Sequence, residues 1–119
     1  MINAKVYRSK EGLIRSFILS GHAEFAEHGK DLVCAGASAV TFGAVNAVLS
    51  LTEIEPLIEQ GGEGGYLRVK LPSDLDKSIS DKVQLLLEGM LVSLQTIERD
   101  YEQYISVSIL NEAGGETSC

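Results

Sequence analysis

The chain has 119 residues, of which 45% are hydrophobic and 23% charged, with 12 glycines, 2 prolines and 2 cysteines. That composition excludes intrinsic disorder, and a chain of this length buries about two-thirds of its extended surface, enough for one core without disulfide or metal staples. With 10 Lys+Arg against 17 Asp+Glu the net charge is -7, so the surface repels phosphate: nucleic-acid binding is disfavoured as a main task, and a basic substrate or partner is favoured.

Cys34 lies in an apolar run and Cys119 at the C-terminus; this spacing fits neither a disulfide framework nor a zinc site, and predicts a reduced, cytoplasmic protein. Met1 to Val6 alternates in polarity instead of pairing a basic stretch with an apolar one, so no signal peptide is expected.

Ile2, Ala4 and Val6 alternate with polar neighbours, and a second run from Leu13 to Leu19 follows Ser9-Lys10-Glu11-Gly12, which predicts a β-hairpin with Gly12 as the positive-φ turn residue. Ser20 to Asp31 is polar and small, bracketed by Gly21 and Gly29, and reads as a functional loop. Leu32 to Leu51 then runs for twenty positions without a charge, the length of a membrane span. Its Ala, Ser and Gly content and the lack of flanking Lys/Arg or aromatic belts instead predict a small-residue helix buried on a sheet, with no membrane contact. Two short strands are expected around Gly61-Gly62-Glu63-Gly64-Gly65, a turn that lacks the Lys-Ser/Thr ending of a phosphate loop and so reads as a plain hairpin. Pro72-Ser73-Asp74 opens a second, longer helical pattern whose apolar positions from Ile79 to Tyr101 recur three or four apart; it packs on the sheet, and surplus apolar face suits a homodimer contact. Ile105 to Ile109 alternates as a closing strand. The sum is an α/β (α+β) fold: a small single-domain sandwich of a mostly antiparallel sheet with two main helices over residues 1–110, followed by a polar tail at 111–119.

The chemistry concentrates on His22 and Cys34, twelve positions apart, with Asp31 just before the helical run. With Asp31 as N-cap, Cys34 becomes the third helical residue, where unpaired N–H groups and the helix dipole favour a thiolate. His22, at the end of the second strand, is placed to act as acid and base in turn, and the N–H groups of Cys34 and Ala35 are candidate oxyanion donors. Each residue also has a plainer reading. A lone cysteine in an Ala-rich helix is more often a small hydrophobe, Asp31 is a structural cap, and Ser38, one turn beyond Cys34, lines a groove or bonds a carbonyl. His28 with His22 and Cys34 gives three metal ligands without a fourth, so neither metal nor cofactor is expected.

Gly21-His22-Ala23, Gly29, Asp31, Val33-Cys34-Ala35 and Ser38 together resemble the ribosomal-processing cysteine protease (Prp) family, and the resemblance covers nearly the whole chain. Gly36 departs from it, standing where a second alanine is expected. The resemblance implies a cysteine endopeptidase with a His22/Cys34 dyad, with Gly21, Asp31, Ala35 and Ser38 in support or substrate contact. Its implied substrate is the large-subunit ribosomal protein numbered twenty-seven, trimmed of an N-terminal extension after an aromatic pair, and it implies a homodimer. A non-catalytic ribosome-associated binding or assembly module is the alternative from another class, and a thiol acyltransferase or thioesterase is a third use of the same pair.

Overall fold

The computed structural model describes residues 1–21, 28–61 and 65–112, with the backbone only for 28–31. The elements run β1 (Ile2–Arg8), β2 (Ile14–Ser20), α1 (His28–Thr52), β3 (Leu57–Gln60), β4 (Tyr66–Lys70), α2 (Lys77–Asp100) and β5 (Ile105–Asn111). The strands form one five-stranded sheet in the order β3-β4-β2-β1-β5. All pairs are antiparallel except β1 with β5. This is the mostly antiparallel sheet with two helices read from the sequence.

The β1–β2 hairpin turns through Gly12 at φ 91°, which only glycine adopts without strain. The ladder shifts between Tyr7 and Arg8, so that Phe17 pairs with Val6 but Ile14 pairs with Arg8. Arg15 is therefore an extra residue, a β-bulge that restores parity and turns both Ile14 and Phe17 into the core. Gln84 of α2 clamps the same point: Ile14 N–H donates to its Oε1 at 2.7 Å and its Nε2 donates to the Ile14 carbonyl at 2.9 Å.

Two crossovers, β2-α1-β3 and β4-α2-β5, run in opposite directions across the sheet from oppositely directed strands. Both right-handed connections therefore place their helices on the same face. One contiguous core results, joining Ile2, Ala4 and Val6 of β1 and Leu67 and Val69 of β4 to both helices. α1 contributes Val33, Ala37, Thr41, Val45 and Val48, a stripe with helical spacing. The hydroxyl of Thr41, fully buried, donates to the Ala37 carbonyl at 2.9 Å. α2 contributes Val83, Leu87, Met90, Leu91 and Leu94.

Three boundaries differ from the sequence-based expectation. α2 begins at Lys77 rather than at Pro72, because Asp74 takes a positive φ of 61°, which no right-handed helix accommodates. β5 continues to Asn111, and the Glu112 N–H still donates to the Arg8 carbonyl at 2.7 Å. α1 begins at His28, a turn before the expected start.

Candidate active site

The early start of α1 changes the helix-capping argument. Asp31 is the fourth residue of α1 and not its N-cap, and Cys34 is the seventh rather than the third. The sequence-based boundary followed the last charged residue before the apolar run, whereas the backbone is already helical through His28-Gly29-Lys30. In a helix from His28 the N–H groups of Cys34 and Ala35 point to carbonyls four residues earlier. They are thus committed to the ladder and not free to receive an oxyanion. The dipole's favourable end also fades beyond the first turn.

Cys34 nevertheless sits in the wall of a cleft of about 440 Å³. Its thiol is free and half-buried, packed on the edge of the core. From α1 the cleft takes Cys34, Ala37, Ser38 and Phe42, a spacing of three, one and four that keeps all four side chains on one face of the helix. Across from them lie Gly21, at the end of β2, and Gln60, Gly61 and Tyr66, at the turn end of β3 and β4. The strand ends converge because Gly21 N–H donates to the Gly65 carbonyl and Gly61 N–H to the Tyr66 carbonyl, each at 3.0 Å.

Gly21 holds the opposite wall by its conformation. Its φ is 95°, and a Cβ there would collide with the Met1 carbonyl oxygen. The chain can turn from β2 beside Met1 only because the residue is glycine.

Of the residues singled out from the sequence, the structure gathers Gly21, Cys34 and Ser38 around one cleft. Ala35 is turned to solvent, one residue and so about 100° round the helix from Cys34. Asp31 lies on the helix one turn before Cys34, with its side chain outside the described residues. His22 and most of the loop expected over Gly21 to Asp31 also lie outside them, as do the side chain of His28, and with it the three-ligand metal reading, and Cys119. The sequence reading missed Phe42, Gln60, Gly61 and Tyr66. Phe42 carries a signal, since it follows Ser38 by four, whereas nothing in the glycine-rich turn marks its flanks as part of a site.

Comparison with known proteins gives this cleft its context. Residues 1–106 match the family model for cysteine protease Prp. Over 108 residues the chain is 55% identical to the ribosomal processing cysteine protease Prp of Bacillus subtilis, covering 91% of this chain and 96% of that one. Two crystal structures of the Prp protease from S. aureus are closely similar. The one with a substrate peptide has a TM-score of 0.80 at 40% identity, covering 92% of this chain and 99% of that one. The one with a covalently linked product peptide has a TM-score of 0.79 at 42% identity, with the same coverage.

Proposed function

Because the chain belongs to the cysteine protease Prp family and is thus a cysteine protease, we propose that it removes the N-terminal extension of the large-subunit ribosomal protein numbered twenty-seven, with Cys34 as nucleophile and His22 as its acid and base. One observation carries this reading: a free thiol and Gly21 line the same cleft, and His22 is the next residue in the chain, one peptide unit or about 3.8 Å away from Gly21 between Cα atoms. Similar proteins are known with a substrate peptide and with a covalently linked product peptide, which supports a peptide as occupant of the cleft.

The chemistry balances with these two groups. The imidazole of His22 takes the thiol proton of Cys34 and the thiolate attacks the scissile carbonyl carbon, forming a C–S bond. The imidazolium then gives that proton to the departing amine as the C–N bond breaks. In the second half His22 takes a proton from water, the hydroxide attacks the thioester, and the C–S bond breaks to release the carboxylate and restore the thiol. Ser38 and Gly21 shape the groove, and Asp31 supports it from the preceding turn. Oxyanion donors come from groups other than the helical N–H groups of Cys34 and Ala35.

A net charge of -7 suits capture of a basic ribosomal protein, and a thiol nucleophile suits a reducing cytoplasm. In this reading residues 1–110 work as one unit and two copies pair. Leu32, Ala35, Ala39, Phe42, Asn46 and Leu49 are all exposed on α1 and recur at alternating spacings of three and four, the seam of a helix that packs on another helix. Leu32–Thr52 is long and apolar enough to cross a membrane, but its opposite stripe, from Val33 to Val48, is built into the core. A second copy therefore fits the exposed seam better than lipid.

The test compares wild type with Cys34→Ala and His22→Ala on the extended ribosomal protein, followed by mass spectrometry of the new N-terminus. Loss of a catalytic group that acts as one unit with its partner should lower kcat by at least ~1000-fold in either variant. Unchanged cleavage by the Cys34→Ala protein ends the proposal.

A further inference from the structure

The two edges of the sheet are treated differently. β5 forms one edge and β3 the other. On β5 the first two outward N–H groups are occupied: Val107 N–H donates to the Glu98 carboxylate at 2.8 Å and Ile105 N–H to the Tyr101 carbonyl at 3.2 Å. Such covering is how sheets protect an edge from pairing with stray strands. β3 has no such protection among the described residues. All four of its residues, Leu57-Ile58-Glu59-Gln60, are exposed, Ile58 by 44%, and none is a lysine or a proline.

The register shows which groups are open. Gly61 N–H bonds the Tyr66 carbonyl, so Gly61 and Tyr66 form a hydrogen-bonded pair, and in an antiparallel ladder such pairs alternate with open ones. Glu59 with Arg68 and Leu57 with Lys70 then exchange hydrogen bonds, whereas Ile58 opposite Val69 and Gln60 opposite Leu67 direct their N–H and C=O groups away from β4. Two residues therefore present two donors and two acceptors along a bare edge. That edge runs directly into the cleft, since Gln60 is both its last residue and part of the cleft wall.

We infer that the substrate docks as a sixth strand on the open edge of β3, its extended backbone pairing with Ile58 and Gln60 before it passes into the cleft beside Cys34. Added strands recruit main-chain hydrogen bonds for affinity and leave alternate side chains for selectivity. The partner is an extended peptide with an unhindered backbone, and the inference rests on the proteolytic reading of the cleft. An edge that remained protected would serve a folded enzyme better, and the bare one adjoins the cleft that must hold a peptide.

The experiment uses wild-type enzyme and a peptide spanning the cleavage site, with single backbone amides N-methylated along it, the scissile bond excepted. Docking on β3 requires kcat/KM to fall by roughly three- to tenfold per lost hydrogen bond at positions two residues apart, with smaller effects between them. Ile58→Pro is the second arm: it removes an outward N–H and no ladder bond, and should raise KM by a similar factor with kcat little changed. Should that variant fail to fold, the methylation scan decides alone. A flat or non-alternating scan on a peptide that wild type cleaves overturns the docking mode and leaves proteolysis standing. A flat scan together with a halved solution mass for Ile58→Pro assigns the edge to a second copy and overturns it too. Failure of wild type to cleave the parent peptide strikes the proteolytic reading, and this inference with it.

Discussion

Two glycines near the cleft have opposite reasons for being glycine. Gly21 has a positive φ and no room for a Cβ, whereas a Cβ on Gly36 would meet only the Cδ1 of Ile97, at an ordinary 3.7 Å. Gly21→Ala should therefore destabilise by more than about 1 kcal/mol and lower kcat/KM as well, because the displaced backbone carries His22. Gly36→Ala should stabilise by about 0.5–1 kcal/mol through helix propensity, with activity retained; urea unfolding and peptide hydrolysis read both. Arg8 and Glu88 form the best-defined ion pair, with contacts of 2.6 and 3.1 Å. Hydrogen bonding to the guanidinium holds the Glu88 carboxyl below its usual range. A depressed carboxyl stabilises the fold above its unfolded value, near 4.3, and that contribution is lost as pH falls through the folded value. The Glu88 side chain is 42% exposed, so the pair is worth about 0.2–1 kcal/mol. The thermal midpoint of Glu88→Gln should lie slightly below that of wild type at neutral pH, and the two should converge as the pH falls through the depressed Glu88 value.

At the level of elements, the clamp between α2 and β2 matters most for the sheet. Gln84 satisfies both backbone groups of Ile14 at the bulge, and Gln84→Ala leaves two part-buried groups unpaired at a cost of about 1–3 kcal/mol. A circular-dichroism melt should show it; an unchanged midpoint means that water replaces the amide. The bulge also marks the limit of what the sequence discloses. Alternation in Ile2-Ala4-Val6 and the three-four spacing from Ile79 to Tyr101 announced their elements, since burial on one face imposes the period directly. Nothing in Ile14-Arg15-Ser16-Phe17 announces that one residue is extra, because the shift is set by the partner strand. The start of α1 was misplaced for a similar reason: His28, Gly29 and Lys30 carry no apolar period, and their helicity comes from continuity with the packed turns that follow. Cys34 and Ser38 were legible because they share a helix face. The facing wall was not, because Gln60, Gly61 and Tyr66 reach the cleft only through strand pairings separated by long stretches of chain.

Over the whole molecule, the exposed apolar seam is the main unsettled surface. Leu49 is 46% exposed and Leu32 62% exposed on α1, while the outer face of α2 leaves Leu85 and Val92 uncovered. The homodimer reading places the α1 seam between copies, so Leu49→Asp, which touches neither core nor cleft, should yield a folded monomer by light scattering. Retention of the wild-type dimer mass would move the interface elsewhere.

The parallel contact between β1 and β5 pairs residues from Ile2 to Arg8 with residues from Ile105 to Asn111. During synthesis β1 is made long before its second neighbour, β5, exists. A nascent chain halted before Ile105 exposes β1 as a sticky margin, and such long-range closure is slow and prone to aggregation.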